Sequence, residues 1–293
     1  MAQQKVELRK IRDFSESLND TFLFIRQNLK PLLVSLMGIA GIFMLLAAIF
    51  SGLYQGQMGG VFQQIINGTR TSETSPLSIF NTNYFLLILL AWVNISAMQV
   101  VIVAYMKAYE DNKRPPEIDE VWQLFKRYFL LLFLYSIINA MIMAVGFVLC
   151  ILPGVFLAVV LMPFPAIVMM EDVSYGTAFS RSFALIKNNF WISLGLYLLV
   201  YIIYSFSSSI ISAVIGGIAG ILFYFTTKDL SNTMAVVTSI LSIFSYVFYI
   251  VFYVSVVLHY FNLAERLDGT GILQRLDSIG DSSANFNNTR EEY

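Results

Sequence analysis

Charge is scarce in this chain: Asp, Glu, Lys and Arg make up 13% of its 293 residues, against roughly 25% in an ordinary soluble domain. That shortage excludes a water-soluble globule. A single cysteine, Cys150, rules out an internal disulfide and a thiolate metal cage. A single histidine, His259, leaves no imidazole cluster for a metal or haem, so no metal site and no cofactor is expected. The net charge of -1 comes without clustered lysine and arginine to neutralise phosphates, so nucleic acid is not an expected partner. HExxH, P-loop, GxSxG and Asp/His patterns are missing. No span centre carries an ionisable side chain, the usual equipment of an intramembrane protease or ion-coupled pump. No catalytic residue is assigned, and enzyme activity is not expected.

What the chain has is oil: 57% of it is hydrophobic, with 25 Phe and 16 Tyr suited to headgroup level. A spanning helix needs about 20 predominantly apolar residues. Segments at about 32–54, 84–106, 128–150, 154–170, 190–213 and 235–261 meet or approach that length. The expected fold is therefore all-α, a polytopic bundle of six spans. Residues 1–31 are mixed-charge and amphipathic rather than a short basic leader, so no cleavable signal peptide is expected. Leu152-Pro153-Gly154 reads as a tight turn, and Pro163 with Pro165 breaks the fourth span, freeing the carbonyls of Val159 and Leu161. Gly216 to Phe225 reads as either a re-entrant turn or part of an outer loop. Residues 1–268 form one membrane domain, and 269–293 a polar, partly disordered tail.

Six spans put both termini on one side. That side collects sixteen of the eighteen basic residues, leaving only Arg70 and Lys228 opposite. By the positive-inside rule both termini are cytoplasmic. A pattern recurs before the odd-numbered spans: Leu18, Phe22, Ile25, Arg26, Leu29, then Ile118, Trp122, Phe125, Lys126, Phe129, then Phe179, Phe183, Ile186, Lys187, Phe190. Each set has apolar residues at i, i+4, i+7 and i+11 with a basic neighbour, one stripe of an interfacial helix. Three parallel units follow, about 13–113, 114–172 and 173–268, each a surface helix and two spans. Arg26, Lys126 and Lys187 are the candidate lipid-phosphate contacts.

Two stripes of hydroxyls lie in the last two spans. Tyr197, Tyr201, Tyr204, Ser208 and Ser212 face Ser242, Ser245, Tyr249 and Tyr253, either bonding helix to helix or lining a polar cavity. Glu171, at the end of the fourth span, is a candidate structural ion pair with Arg181. His259 reads as an interfacial residue, and Cys150 as a small apolar one beside the outer turn.

Leu152-Pro153-Gly154, Glu171, Ala178, Ser182 and Lys187-Asn188-Asn189-Phe190 carry a resemblance. The pattern is similar to a polytopic family that includes the membrane domain of some glycerophosphoryl diester phosphodiesterases and many bacterial inner-membrane proteins. The resemblance implies six spans with surface helices in a bacterial inner membrane. It carries over no catalytic residue, because no soluble phosphodiesterase domain is present in this sequence. The expected function is a non-catalytic inner-membrane scaffold, lipid-organising element or complex subunit. Its expected partners are membrane lipids and other membrane or periplasmic proteins. The alternative is a transporter or flippase-like protein using a cavity between spans five and six.

Overall fold

In hydrocarbon every backbone N–H and C=O must be paired within the protein, and a helix does this inside one segment. The structure, a computed structural model, follows that rule over the residues it describes: 6–68, 80–227 and 229–269. In chain order these hold α1 (Phe14–Ser35), a π turn (Leu36–Ala40), α2 (Gly41–Ile66), α3 (Thr82–Asn112) and α4 (Ile118–Leu149). Then come α5 (Ile151–Leu161), α6 (Phe164–Glu171), α7 (Tyr175–Ile186), α8 (Phe190–Thr227) and α9 (Leu230–Asp268). Among the described residues there is no strand. Six helical stretches among the described residues are long and apolar enough to cross a membrane, with α1 to α2 and α5 to α6 each counting as one. The chain is an all-α polytopic bundle.

Helix starts follow local chemistry. The Asp13 carboxylate accepts the Glu16 N–H (2.7 Å) and opens α1. Asn81 does the same for α3 through the Tyr84 N–H. Glu117 and Glu120 form a reciprocal capping box, so α4 begins at Ile118, just after Pro115-Pro116.

The amphipathic stripes join their spans differently from the expectation of three separate surface helices. α1 passes through the π turn into α2 without a break, a rod of 53 residues about 80 Å long. The π turn lies shortly after Pro31, which removes one i to i−4 hydrogen bond. The second stripe is simply the first turns of α4, and only α7 stands as a helix of its own.

Three turn expectations are corrected. Leu152-Pro153-Gly154 is the first turn of α5, where proline's missing N–H would have had no partner anyway. The reversal itself sits one step earlier, at extended Cys150 (φ -171°, ψ 155°). Gly216 to Phe225 is neither re-entrant nor a loop: it lies inside the 38-residue α8. The segment 55–83 that the first two expected spans leave between them as an outer loop is helical at both ends, since α2 runs to Ile66 and α3 starts at Thr82. Residues 69–79, Lys228 and the tail from 270 lie outside the described residues. The fourth span is broken, with α5 and α6 separated at Met162-Pro163.

α9 is the central helix. From Phe252 to Glu265 every residue is buried, and α1, α2, α3, α6, α7 and α8 all pack on some part of it. Its closest neighbour is α2, through small residues. A Cβ on Gly52 would sit 1.9 Å from Ser239 Oγ and 2.4 Å from the Ala235 carbonyl, so only glycine permits this approach. Charge is segregated along the bundle axis. Among the described residues, only Asp229 lies away from the end formed by the starts of α1, α4 and α8, the ends of α3, α6 and α9, and α7.

Candidate functional site

The charged end is built around a buried arginine. Residues 6–13 lead into α1 and cross the end of α9. Arg12 is 1% exposed. Its Nε donates to Asp20 Oδ2 (2.7 Å), and its other nitrogens donate to the carbonyls of Leu8 (2.9 Å), Lys10 (3.1 Å) and Glu7. Its backbone is held as firmly: the N–H donates to Asn262 Oδ1 (2.9 Å), and Asn262 Nδ2 donates back to the Arg12 carbonyl (3.1 Å). Arg266 donates to both the Asn262 amide oxygen and that same carbonyl. Beside it, Arg9 pairs with Glu110 (3.1 Å) and lies over the Phe261 ring.

Above this clasp, Ser255, His259, Asn262 and Arg266 repeat at helical spacing along one face of α9. His259 is buried rather than interfacial. Its Nε2 is 2.8 Å from Ser193 Oγ, its ring meets Tyr197 edge-on, and its Nδ1 has no partner. Tyr197 Oη and Ser255 Oγ are likewise buried without a partner. One turn further toward the far end, this face becomes apolar at Val251, Phe248 and Phe244.

Glu171 and Arg181 meet at 3.2 Å, half-buried, and Glu171 also accepts the Tyr260 hydroxyl (2.9 Å). Arg181 continues to Asp268, joining α6, α7 and α9 at one point. Nearby, the Tyr128 hydroxyl (2.6 Å) and Arg127 (2.7 Å) both donate to the Asp172 carboxylate. These two donors, the tyrosine first, hold that carboxyl below the usual carboxylate range.

Arg26, Lys126 and Lys187 are all exposed. On α1, Phe22 and Leu29 face outward beside Arg26, while Ser17, Thr21 and Asn28 face inward. The inward groups hydrogen-bond carbonyls four residues back, so the inverted face leaves none of them wanting. On α4, Trp122 is exposed with the Lys126 ammonium over its ring (5.6 Å). The third stripe turns inward instead, with Ile186 buried and Phe183 against Phe156 and Phe179.

The hydroxyls of α8 and α9 meet one another. Ser208 Oγ donates to Ser245 Oγ (2.9 Å), and the Tyr204 and Tyr249 rings lie 4.5 Å apart. Ser242 donates to the Thr238 carbonyl (2.8 Å) and approaches Ser51 of α2. Tyr253 is buried and stacks on Tyr249, Tyr201 points outward, and Ser212 is half-buried. A cavity of about 560 Å3 does separate α8 from α9, but farther toward the uncharged end. Gly216, Gly220, Tyr224 and Leu241 are among the residues that line it; Thr238, which begins the hydroxyl stripe of the sixth span in the sequence, lines it too, while none of the nine candidate cavity residues does.

A smaller cavity, about 280 Å3, lies where α3 and α4 face the break in the fourth span. It is lined in part by Ser96, Gln99, Ser136 and Asn139. Trp92 Nε1 donates to Ser136 Oγ (3.0 Å), and the Tyr175 hydroxyl donates to Asn139 Oδ1 (2.8 Å). Sequence reasoning reached the proline pair but not Ser96, Gln99, Ser136 and Asn139, which come from two earlier helices. Their one local signal is a pair of polar residues three apart within each apolar run, Ser96 with Gln99 and Ser136 with Asn139. No protein-family model, curated protein or solved structure matches this chain.

Proposed function

We propose that this protein is a non-catalytic membrane protein that organises lipid at one face of its bilayer, as a scaffold or complex subunit. One observation carries the reading: among the described residues all charge but Asp229 gathers at one end of an apolar bundle, where exposed Arg26 and Lys126 stand beside exposed Phe22, Leu29 and Trp122. Cations next to apolar side chains at the rim of a span suit anionic headgroups and the chains below them. In this reading the charged end is cytoplasmic, which the positive-inside rule supports, and the membrane is the bacterial inner one that the sequence resemblance implies. Lipids are then the first partners, with other membrane or periplasmic proteins beyond them. The transporter reading has less support, because Ser208 bonds Ser245 across α8 and α9 and none of the nine candidate hydroxyl residues lines the cavity between these helices.

The test is lipid preference. Titrated with phosphatidylglycerol against phosphatidylcholine and followed by native mass spectrometry, the protein retains the anionic lipid preferentially. Each basic residue near an anionic surface contributes about 1 kcal/mol, so replacing Arg26, Lys126 and Lys187 together by Glu lowers that preference at least tenfold. An unchanged preference refutes the reading. Orientation has its own test, since Cys150 is exposed at the end opposite the charges. An impermeant maleimide labels it from outside intact cells; labelling confined to opened cells inverts the topology.

A further inference from the structure

The cavity beside the broken span has a chemistry of its own. Ser96 and Gln99 on α3 face Ser136 and Asn139 on α4, with Phe164 and Pro165 from the break closing one side. Asn139 Oδ1 is taken by Tyr175, which leaves its Nδ2 to donate elsewhere. Among the described residues, the Gln99 amide and the Ser96 hydroxyl make no hydrogen bond to the protein. Pro165 has no N–H, so the Leu161 carbonyl loses its usual donor at the edge of the same space. Donors and acceptors therefore converge there, and no lining side chain is ionisable.

We propose that this cavity binds the uncharged polar head of an amphiphile: an alcohol or ester group at the end of an alkyl chain. A carboxylate, phosphate or cation would enter with no counter-charge, and desolvating an unpaired ion is prohibitive. A plain hydrocarbon would leave the Gln99 and Asn139 amides unpaired, which is also unfavourable. At about 30 Å3 per water-sized group the space holds about nine, the head and first carbons of a chain whose remainder lies in lipid. The inference rests on the reading that this protein handles lipid, but not on the charged rim.

Trp92 lines the cavity and reports on it. The full chain carrying Trp122→Phe and Trp191→Phe, both exposed positions, keeps Trp92 as its one indole. In phosphatidylcholine nanodiscs, 8-bromo-1-octanol quenches Trp92 saturably and 1-octanol displaces it. Gln99→Leu weakens that binding about fivefold, the loss of one hydrogen bond. Ionised 8-bromooctanoate and 1-bromooctane give only the linear quenching of partitioning. Should Gln99→Leu fail to fold by far-UV circular dichroism, Ser96→Ala replaces it with the same expected direction. Linear quenching by the alcohol, equal saturation by all three probes, or indifference to the substitution overturns the proposal. The probe is uncharged, so a failed rim experiment leaves this result standing, and the reverse holds too.

Discussion

Replacing Arg12 by Met keeps the volume of the side chain and removes every donor it offers. Four interactions go: the ion pair to Asp20 and the hydrogen bonds to the carbonyls of Glu7, Leu8 and Lys10. Arg12 has no exposed side-chain surface, and the Asp20 side chain is 19% exposed. Removing one partner of a buried pair costs about 3 to 5 kcal/mol. Because Asp20 keeps some contact with solvent, the lower figure applies. The backbone bonds to Asn262 survive the substitution, so the loss falls on residues 7–13 rather than on the bundle. About 3 kcal/mol corresponds to roughly a hundredfold change in an equilibrium constant. Hydrogen exchange by mass spectrometry should show amides of residues 7–13 opening about a hundredfold faster, with Val100–Ala104 in the middle of the bundle unchanged. Exchange within about threefold of the parent protein would mean that the guanidinium is dispensable. An Asp20→Asn double-mutant cycle isolates the ion pair from the carbonyl bonds.

Two further outcomes follow from packing and charge. Gly52→Ala forces α2 away from α9, and the Ala235 carbonyl, being backbone, cannot swing aside. Overpacking of this kind costs about 1 to 3 kcal/mol, read as a lower unfolding midpoint in SDS titration; an unmoved midpoint refutes the close approach. At Asp172 the depressed carboxyl contributes stability that is present above the usual carboxylate range and lost as pH falls through its lowered value. The difference in thermal midpoint between the parent and Asp172→Asn should therefore hold constant from about pH 8 to pH 5 and shrink only below about pH 4. A difference fading between pH 6 and 5 contradicts the Tyr128 and Arg127 contacts.

Spans and charge segregation were legible in the sequence because both depend on local composition. An apolar run must become a helix in lipid, and Lys126 or Arg181 belongs to the rim wherever its helix packs. Turn placement was harder to read. Leu152-Pro153-Gly154 has turn composition, but proline also suits a helix's first turn, and Cys150 took the extended conformation instead. Gly216, Gly217 and Gly220 looked like breakers, yet a lipid-immersed helix keeps its ladder because no water competes for the backbone. The hydroxyl stripes were visible, but their pairing was not: Ser208 to Ser245 depends on how α8 is rotated against α9. Arg12 gave no local sign of burial, since its backbone partner Asn262 is 250 residues away. The cavity at the broken span was half legible, the prolines by type and the Gln99 and Asn139 amides only by tertiary placement.

The clasp between Arg12 and Asn262 also constrains the order of biosynthesis. A ribosome delivers the arginine long before the asparagine, separated by 250 positions, and contacts so distant along a chain form late. Until α9 is threaded into the bilayer, the Arg12 backbone N–H and carbonyl lack their Asn262 partner, and the leading segment has only its local bonds to hold it. Docking of residues 6–13 therefore cannot precede the last helix, and a chain stalled before that helix keeps an accessible front end.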